Sequence, residues 1–74
     1  MIRYVDGWQL HAYVERGPDG PEEMIISARH LAQDALRVHS FGPAEFPTMT
    51  EATSFIEGQL AAVTGVGCDG SLRF

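Results

Sequence analysis

Apolar and polar side chains alternate cleanly from Trp8 to Glu15, and this pattern constrains the fold more than any other feature of the chain. A period of two is typical of a strand with one buried face and one solvent-facing side. The same parity extends back to Ile2 and Tyr4, with Gly7 as a bulge or bend. The sequence Gly17-Pro18-Asp19-Gly20-Pro21 follows the alternation, and it predicts that the chain reverses direction there.

The next stretch, Glu22–Phe41, fits two structures. As a helix, it begins with Pro21 at the first helical position and carries an apolar stripe at helical spacing. As a hairpin, it consists of the strands Met24–Leu31 and Leu36–Phe41, joined by a turn near Ala32-Gln33-Asp34.

Strand register favours the hairpin. The Pro-Asp-Gly turn places Val14 opposite Met24. Pairing Ala28 with Val38 on the following strand then keeps the even-numbered residues of all three strands on one face, as the pleat requires. A single apolar face across three strands indicates a hairpin, and the helix remains the alternative.

The second half of the chain predicts a helix. Thr48-Met49-Thr50-Glu51 is a capping box, in which the Thr48 side chain accepts a hydrogen bond from the third amide of the helix. The apolar stripe that follows consists of Met49, Ala52, Phe55, Ile56, Leu60 and Val63. Gly65 is expected to end the helix in a left-handed conformation. Leu72-Arg73-Phe74 is predicted to be a short terminal strand.

Together these elements predict one α+β domain over residues 1–74. We expect a three-stranded antiparallel sheet with one helix packed on one face, in the order β-β-β-α, and a short fourth strand at the C-terminus as an option. The helix is expected to cover the even-numbered face, which carries Trp8, Leu10, Val14, Ile26 and Val38.

Composition narrows the classes of partner. Ten acidic against five basic residues give a net charge of −5, which disfavours binding to nucleic acid or to an anionic membrane. The single cysteine, Cys68, excludes an internal disulfide and fits a reducing compartment. With neither a signal-peptide pattern nor a membrane-spanning stretch, the chain is expected to be cytoplasmic. A chain of 74 residues has a small core, and self-association would bury more apolar surface.

The sequence contains no motif for catalysis, cofactor binding or metal binding. Its glycines stand singly in turns and form no phosphate-binding loop. His11 and His39 are expected on the same face of the sheet about 10 Å apart, too far for one metal ion. We therefore expect a protein that is not an enzyme and has no catalytic residue, cofactor or metal ligand.

The predicted register collects a candidate interaction patch on the odd-numbered face, opposite the helix. The patch consists of Tyr13, Ile25, Phe41, His11, His39, Arg29 and Arg37. Aromatic side chains with a rim of arginines are typical of protein–protein interfaces. The sequence therefore predicts a small interaction or accessory module, whose partner is another protein or a second copy in a homodimer.

The order β-β-β-α, with Phe46-Pro47-Thr48 opening a helix, resembles the antitoxin half of the HicB family and the last four elements of double-stranded-RNA-binding domains. That resemblance implies an alternative function as a nucleic-acid-associated regulator, which would depend on Arg3, Arg29 and Arg37. The RNA-binding family carries lysines at the start of its last helix, where this chain has Thr48-Met49-Thr50-Glu51. A small-ligand binder or enzyme is a second alternative, and it would require a concave pocket with convergent polar groups.

Overall fold

A computed structural model describes all 74 residues, and it shows an α+β protein with one helix and two antiparallel sheets. The elements in chain order are β1 (Ile2–Val5), β2 (Trp8–Gly17), β3 (Gly20–His30), β4 (Leu36–Pro43), α1 (Met49–Ala62), β5 (Gly65–Val66) and β6 (Leu72–Arg73). Strands β1 to β4 form one sheet in sequence order, and β5 and β6 form a separate pair. The helix and the antiparallel sheet are confirmed, and the main sheet has one strand more than predicted.

The additional strand is β1, which pairs with β2 through a two-residue turn at Asp6 and Gly7. Both turn residues have positive φ, 53° and 84°, as the type I′ hairpin requires. Gly7 is therefore part of a reversal and not of a bulge within one long strand. As a consequence, Ile2 pairs with His11 and Tyr4 with Gln9. Both side chains lie on the face opposite the one that their parity predicted.

The central hairpin is confirmed, and the helical alternative for Glu22–Phe41 is wrong. Val14 pairs with Met24, as predicted, and the whole β2–β3 ladder follows the same register until a bulge at Glu15 and Arg16. The turn between β3 and β4 is held by the His30 ring, whose Nδ1 accepts hydrogen bonds from the amides of Ala32 and Gln33 at 3.1 and 3.0 Å.

The predicted register between β3 and β4 is wrong by one residue. Ala28 pairs with Arg37 and not with Val38, which pairs with Ser27. Because a shift of one residue exchanges the two faces of a strand, the side chains from Leu36 to Ser40 point away from their expected side. Val38 is therefore not covered by the helix and stays 54% exposed. A second irregularity restores the predicted pairing at Glu23 and Pro43.

The core lies between α1 and the central strands β2 and β3. Its buried side chains are Trp8, Leu10, Ala12, Met24, Ile26, Ala28, Ala52, Ile56, Leu60, Val63 and Val66. Thr48 caps the helix as predicted, accepting a hydrogen bond from the Glu51 amide at 3.2 Å. Phe55 lies at the margin of the stripe and is 39% exposed. The helix ends at Val63 in an extended conformation, so Gly65 is not the left-handed residue that was predicted.

Two polar side chains of the β1–β2 hairpin form hydrogen bonds to the backbone at the end of α1 and in β5. The Arg3 guanidinium donates hydrogen bonds to the carbonyls of Leu60 at 2.7 Å and Val63 at 2.9 Å, at the end of α1. The Asp6 carboxylate accepts a hydrogen bond from the Val66 amide at 2.9 Å. The predicted C-terminal strand exists, but it pairs with β5 and does not join the main sheet.

Candidate interaction surface

The side of the main sheet that faces away from α1 is the candidate site, and we call it the open face. Cross-strand pairs define its rows. The first row is Tyr4, Gln9, Arg29 and Leu36, and the second is Ile2, His11, Ser27 and Val38. The third row is Tyr13, Ile25 and Ser40, and beyond it lie Glu15 and Glu23. Side chains in one row are about 5 Å from their neighbours, so each row presents a continuous surface.

Exposed apolar side chains occupy both edges of the open face. On β1, Ile2 is 50% exposed and Tyr4 is 66% exposed; we call these two residues the β1 edge pair. On β4, Val38 is 54% exposed and Leu36 is 67% exposed; these two are the β4 edge pair. Each edge thus combines a large aliphatic side chain with a second apolar one, both accessible to solvent.

The middle of the open face is polar. Gln9 donates a hydrogen bond to the Tyr4 hydroxyl at 3.3 Å. Arg29 lies 3.5 Å from the Asp34 carboxylate, an exposed pair that adds little stability. His11 packs beside Tyr13, with ring centroids 5.2 Å apart. These central groups can form hydrogen bonds to a partner, while the edge pairs supply apolar contact.

At one end of the open face the central apolar side chain is buried and the neighbouring side chains are acidic. Ile25 is only 4% exposed, although it points away from the core, and its cross-strand neighbours are Tyr13 and Ser40. Next to it, Glu15 and Glu23 pair directly across β2 and β3. The Ser40 hydroxyl donates a hydrogen bond to Glu23 at 2.6 Å. This end therefore offers negative charge rather than the exposed apolar row that the sequence predicted.

Four residues of the predicted patch share the open face, and three do not. Those on it are Tyr13, Ile25, His11 and Arg29. Arg37, His39 and Phe41 lie on the helix side of β4, because of the one-residue shift in register. There the His39 Nε2 is 2.7 Å from the Gly70 carbonyl, and Phe41 packs edge-on against Phe74.

Both edge pairs were missed in the sequence. A bulge or bend at Gly7, as the sequence analysis expects, places the β1 edge pair on the covered face, although Asp-Gly between two apolar runs is a strong hairpin signal. The β4 edge pair was assigned to the helix side because nothing in the five-residue connection after His30 indicates which parity of β4 faces the core.

The arginines that a nucleic-acid-binding function would use are separated by the sheet. Arg29 lies on the open face, whereas Arg3 and Arg37 lie on the helix side. Arg3 is occupied by the end of α1, and Arg37 donates to the Asp69 carbonyl at 3.3 Å. These side chains therefore do not form one basic surface that could follow a phosphate backbone.

A second apolar feature lies beside the helix start. This open cleft is lined by Met24, Phe41, Pro43, Glu45, Phe46 and Phe55. Phe46 and Phe55 pack with ring centroids 5.4 Å apart and form one wall. Glu45 is the one charged group of the lining, so the cleft has little to orient a polar ligand.

The remaining ionisable groups form no cluster with metal-binding geometry. In the loop between β5 and β6, hydrogen bonds from the Ser71 hydroxyl at 2.6 Å and the Ser71 amide at 3.0 Å hold the pKa of Asp69 below its ordinary value.

The single helix is too short and too polar to cross a bilayer. The chain matches no family model, no curated protein and no solved structure with which it was compared.

Proposed function

We propose that this chain is a small protein-interaction module that binds its partner through the open face of the sheet. The supporting observation is where the exposed apolar side chains lie. Eight large apolar residues are exposed, and four of them, the two edge pairs, belong to this one face. Isolated apolar residues on a surface are common, but several on one face of a sheet are typical of contact sites.

The chemistry of the open face favours a protein as the partner. Apolar edges around a hydrogen-bonding centre suit a surface that also mixes apolar and polar groups. The nearby carboxylates of Glu15 and Glu23 would repel phosphates, and Arg29 alone does not offset them. Neither cleft of the structure lies on the open face, which therefore lacks a concavity that could enclose a small molecule.

Site-specific cross-linking in the organism that encodes the chain tests this proposal. A photo-reactive phenylalanine analogue replaces Val38 on the open face, and in the matched control it replaces Ser54, which is exposed on α1. We expect protein adducts from position 38 and few from position 54. Equal yields from the two positions would contradict the proposal.

Each adduct is then identified and its binding measured with purified proteins. Val38→Lys should weaken binding at least tenfold, because it places a charge in an apolar contact. Ser54→Lys, which adds the same charge on the helix, should leave binding unchanged. A partner that binds both variants equally well does not use the open face.

A further inference from the structure

We infer that the partner of the open face is a second copy of this chain, stacked face to face in a symmetric dimer. This inference rests on the proposed function of the open face and names its occupant. It comes from the order of side chains across the sheet. The first and second rows both read apolar, polar, polar, apolar from β1 to β4. A surface of this kind is complementary to itself.

A two-fold axis in the plane between two such faces brings like chemistry together. Symmetric dimers use the same surface on both copies, so the face must match itself under that rotation. If the axis runs across the strands, the β1 edge pair lies over the β1 edge pair of the other copy, and the β4 edge pair lies over the β4 edge pair of the other copy. Tyr4 then lies over Ile2 of the other copy, and Leu36 lies over Val38 of the other copy. The polar centres meet as well, with Gln9 facing His11.

Repulsion between carboxylates favours this axis over the other possible two-fold axis, which runs along the strands. The alternative also matches apolar edges, since it places β1 over β4. However, it stacks Glu15 directly over Glu23 of the other copy, about 10 Å away across the two sheets. With the axis across the strands, the acidic ends lie roughly 30 Å apart, at the far ends of the dimer. At that separation their repulsion is screened by salt.

The size of the face sets the expected strength. In this arrangement only the first and second rows of the two copies overlap. With strands about 4.8 Å apart and a rise of about 3.4 Å per residue, these two rows cover roughly 250 Å² of the sheet plane per copy, about half of the open face. Two copies therefore bury on the order of 500 Å², less than a stable specific interface buries. We expect a weak dimer that forms at sub-millimolar to millimolar concentrations and dissociates on dilution.

Sedimentation of the purified chain over about 1 μM to 1 mM tests the association. We expect the mass to rise from 8.1 kDa towards twice that value. Val38→Lys and Tyr4→Lys, one in each edge pair, should each weaken dimerisation at least tenfold. Ser54→Lys should have no effect. Both positions in the edge pairs are more than half exposed, so the fold should survive, and circular dichroism checks this.

Cysteine cross-linking tests the orientation in a Cys68→Ser background, which removes the one native thiol. A short bis-maleimide should join two copies of Val38→Cys, because β4 covers β4 of the other copy. A mixture of Val38→Cys and isotope-labelled Ile2→Cys should give little mixed product. Predominance of the mixed product would show that the axis runs along the strands and would overturn the geometry inferred here.

A chain that remains a monomer at about 1 mM overturns the inference of a dimer. In that case a different partner found by cross-linking from position 38 would still support the proposed function. If the chain dimerises but Val38→Lys and Tyr4→Lys dimerise as well as the wild type, the dimer uses another surface. That result overturns the inference of a dimer through the open face. Whether the open face binds another protein is then decided by the cross-linking experiment from position 38.

Discussion

Replacing Arg3 with methionine tests how the helix is anchored to the sheet. In the wild type, the guanidinium reaches from β1 to the last turn of α1 and donates to the carbonyls of Leu60, Ala61 and Val63 at 2.7, 3.3 and 2.9 Å. Carbonyls at the end of a helix lack the i+4 amide partners that the helix interior provides, and the negative end of the helix dipole lies there. Methionine keeps much of the apolar stem and removes both the charge and the donors.

The expected loss follows from the two shorter hydrogen bonds. A hydrogen bond to a charged group contributes about 1.5–3 kcal/mol, and the favourable contact with the helix end is about 0.3–1 kcal/mol. Partial exposure of Arg3 lowers these values, and the Leu60 carbonyl also accepts a hydrogen bond from the Val63 amide. We therefore expect Arg3→Met to reduce the free energy of unfolding by about 2 kcal/mol, a substantial part of what a domain this small has.

Urea denaturation followed by circular dichroism measures this difference. Arg3→Lys should lose about half as much, because an ammonium group keeps the charge but lacks the forked donors. Arg16→Met is the matched control, since Arg16 is exposed beside the β2–β3 turn, and it should change stability by less than about 0.5 kcal/mol. Equal midpoints for Arg3→Met and Arg16→Met would refute the role of Arg3 as an anchor.

Four further substitutions test the core, the helix and the C-terminal hairpin. Ile56→Ala should cost about 3 kcal/mol in urea denaturation, because the side chain is fully buried in the helix–sheet core. Gly70→Ala should cost about 2 kcal/mol, since φ is +86° and the new methyl would lie 2.9 Å from the Arg37 Cβ and 3.2 Å from the Trp8 indole. Gly58→Ala, in an open helical position, should instead stabilise by about 0.5–1 kcal/mol. In an NMR titration, Ser71→Ala should return the pKa of Asp69 towards its ordinary value. Because the folded-state pKa is lowered, the contribution of Asp69 to stability is present at neutral pH and is lost as the pH falls through that pKa.

The sequence predicted best where local geometry leaves few options. The Gly17–Pro21 turn is tight, so it determines how β2 pairs with β3, and the alternation from Trp8 then identifies the buried face. Thr48 likewise marks the helix start, because few residue types can cap a helix in this way. In both cases the decisive contacts are between residues close in sequence.

Prediction failed for β4 because its two faces differ little in apolar character. Leu36 and Val38 have one parity, and Phe41 has the other. The prediction requires an apolar covered face, but the layer over this part of β4 is the segment with Asp69 and Gly70, which offers backbone carbonyls. Arg37 and His39 satisfy those carbonyls, so polar side chains belong on the covered side. Only the tertiary position of residues some thirty places later reveals this.

That dependence on distant residues also affects the order in which the protein can assemble. The hairpins β2–β3 and β3–β4 close over short connections and can form as soon as their residues leave the ribosome. By contrast, Arg3 and Asp6 bind groups that follow them by 57 to 60 residues. Strand β1 therefore remains without these two contacts until Leu60, Val63 and Val66 have emerged. For the same reason, a proteolytic cut that releases the segment with Val63 and Val66 would also loosen β1.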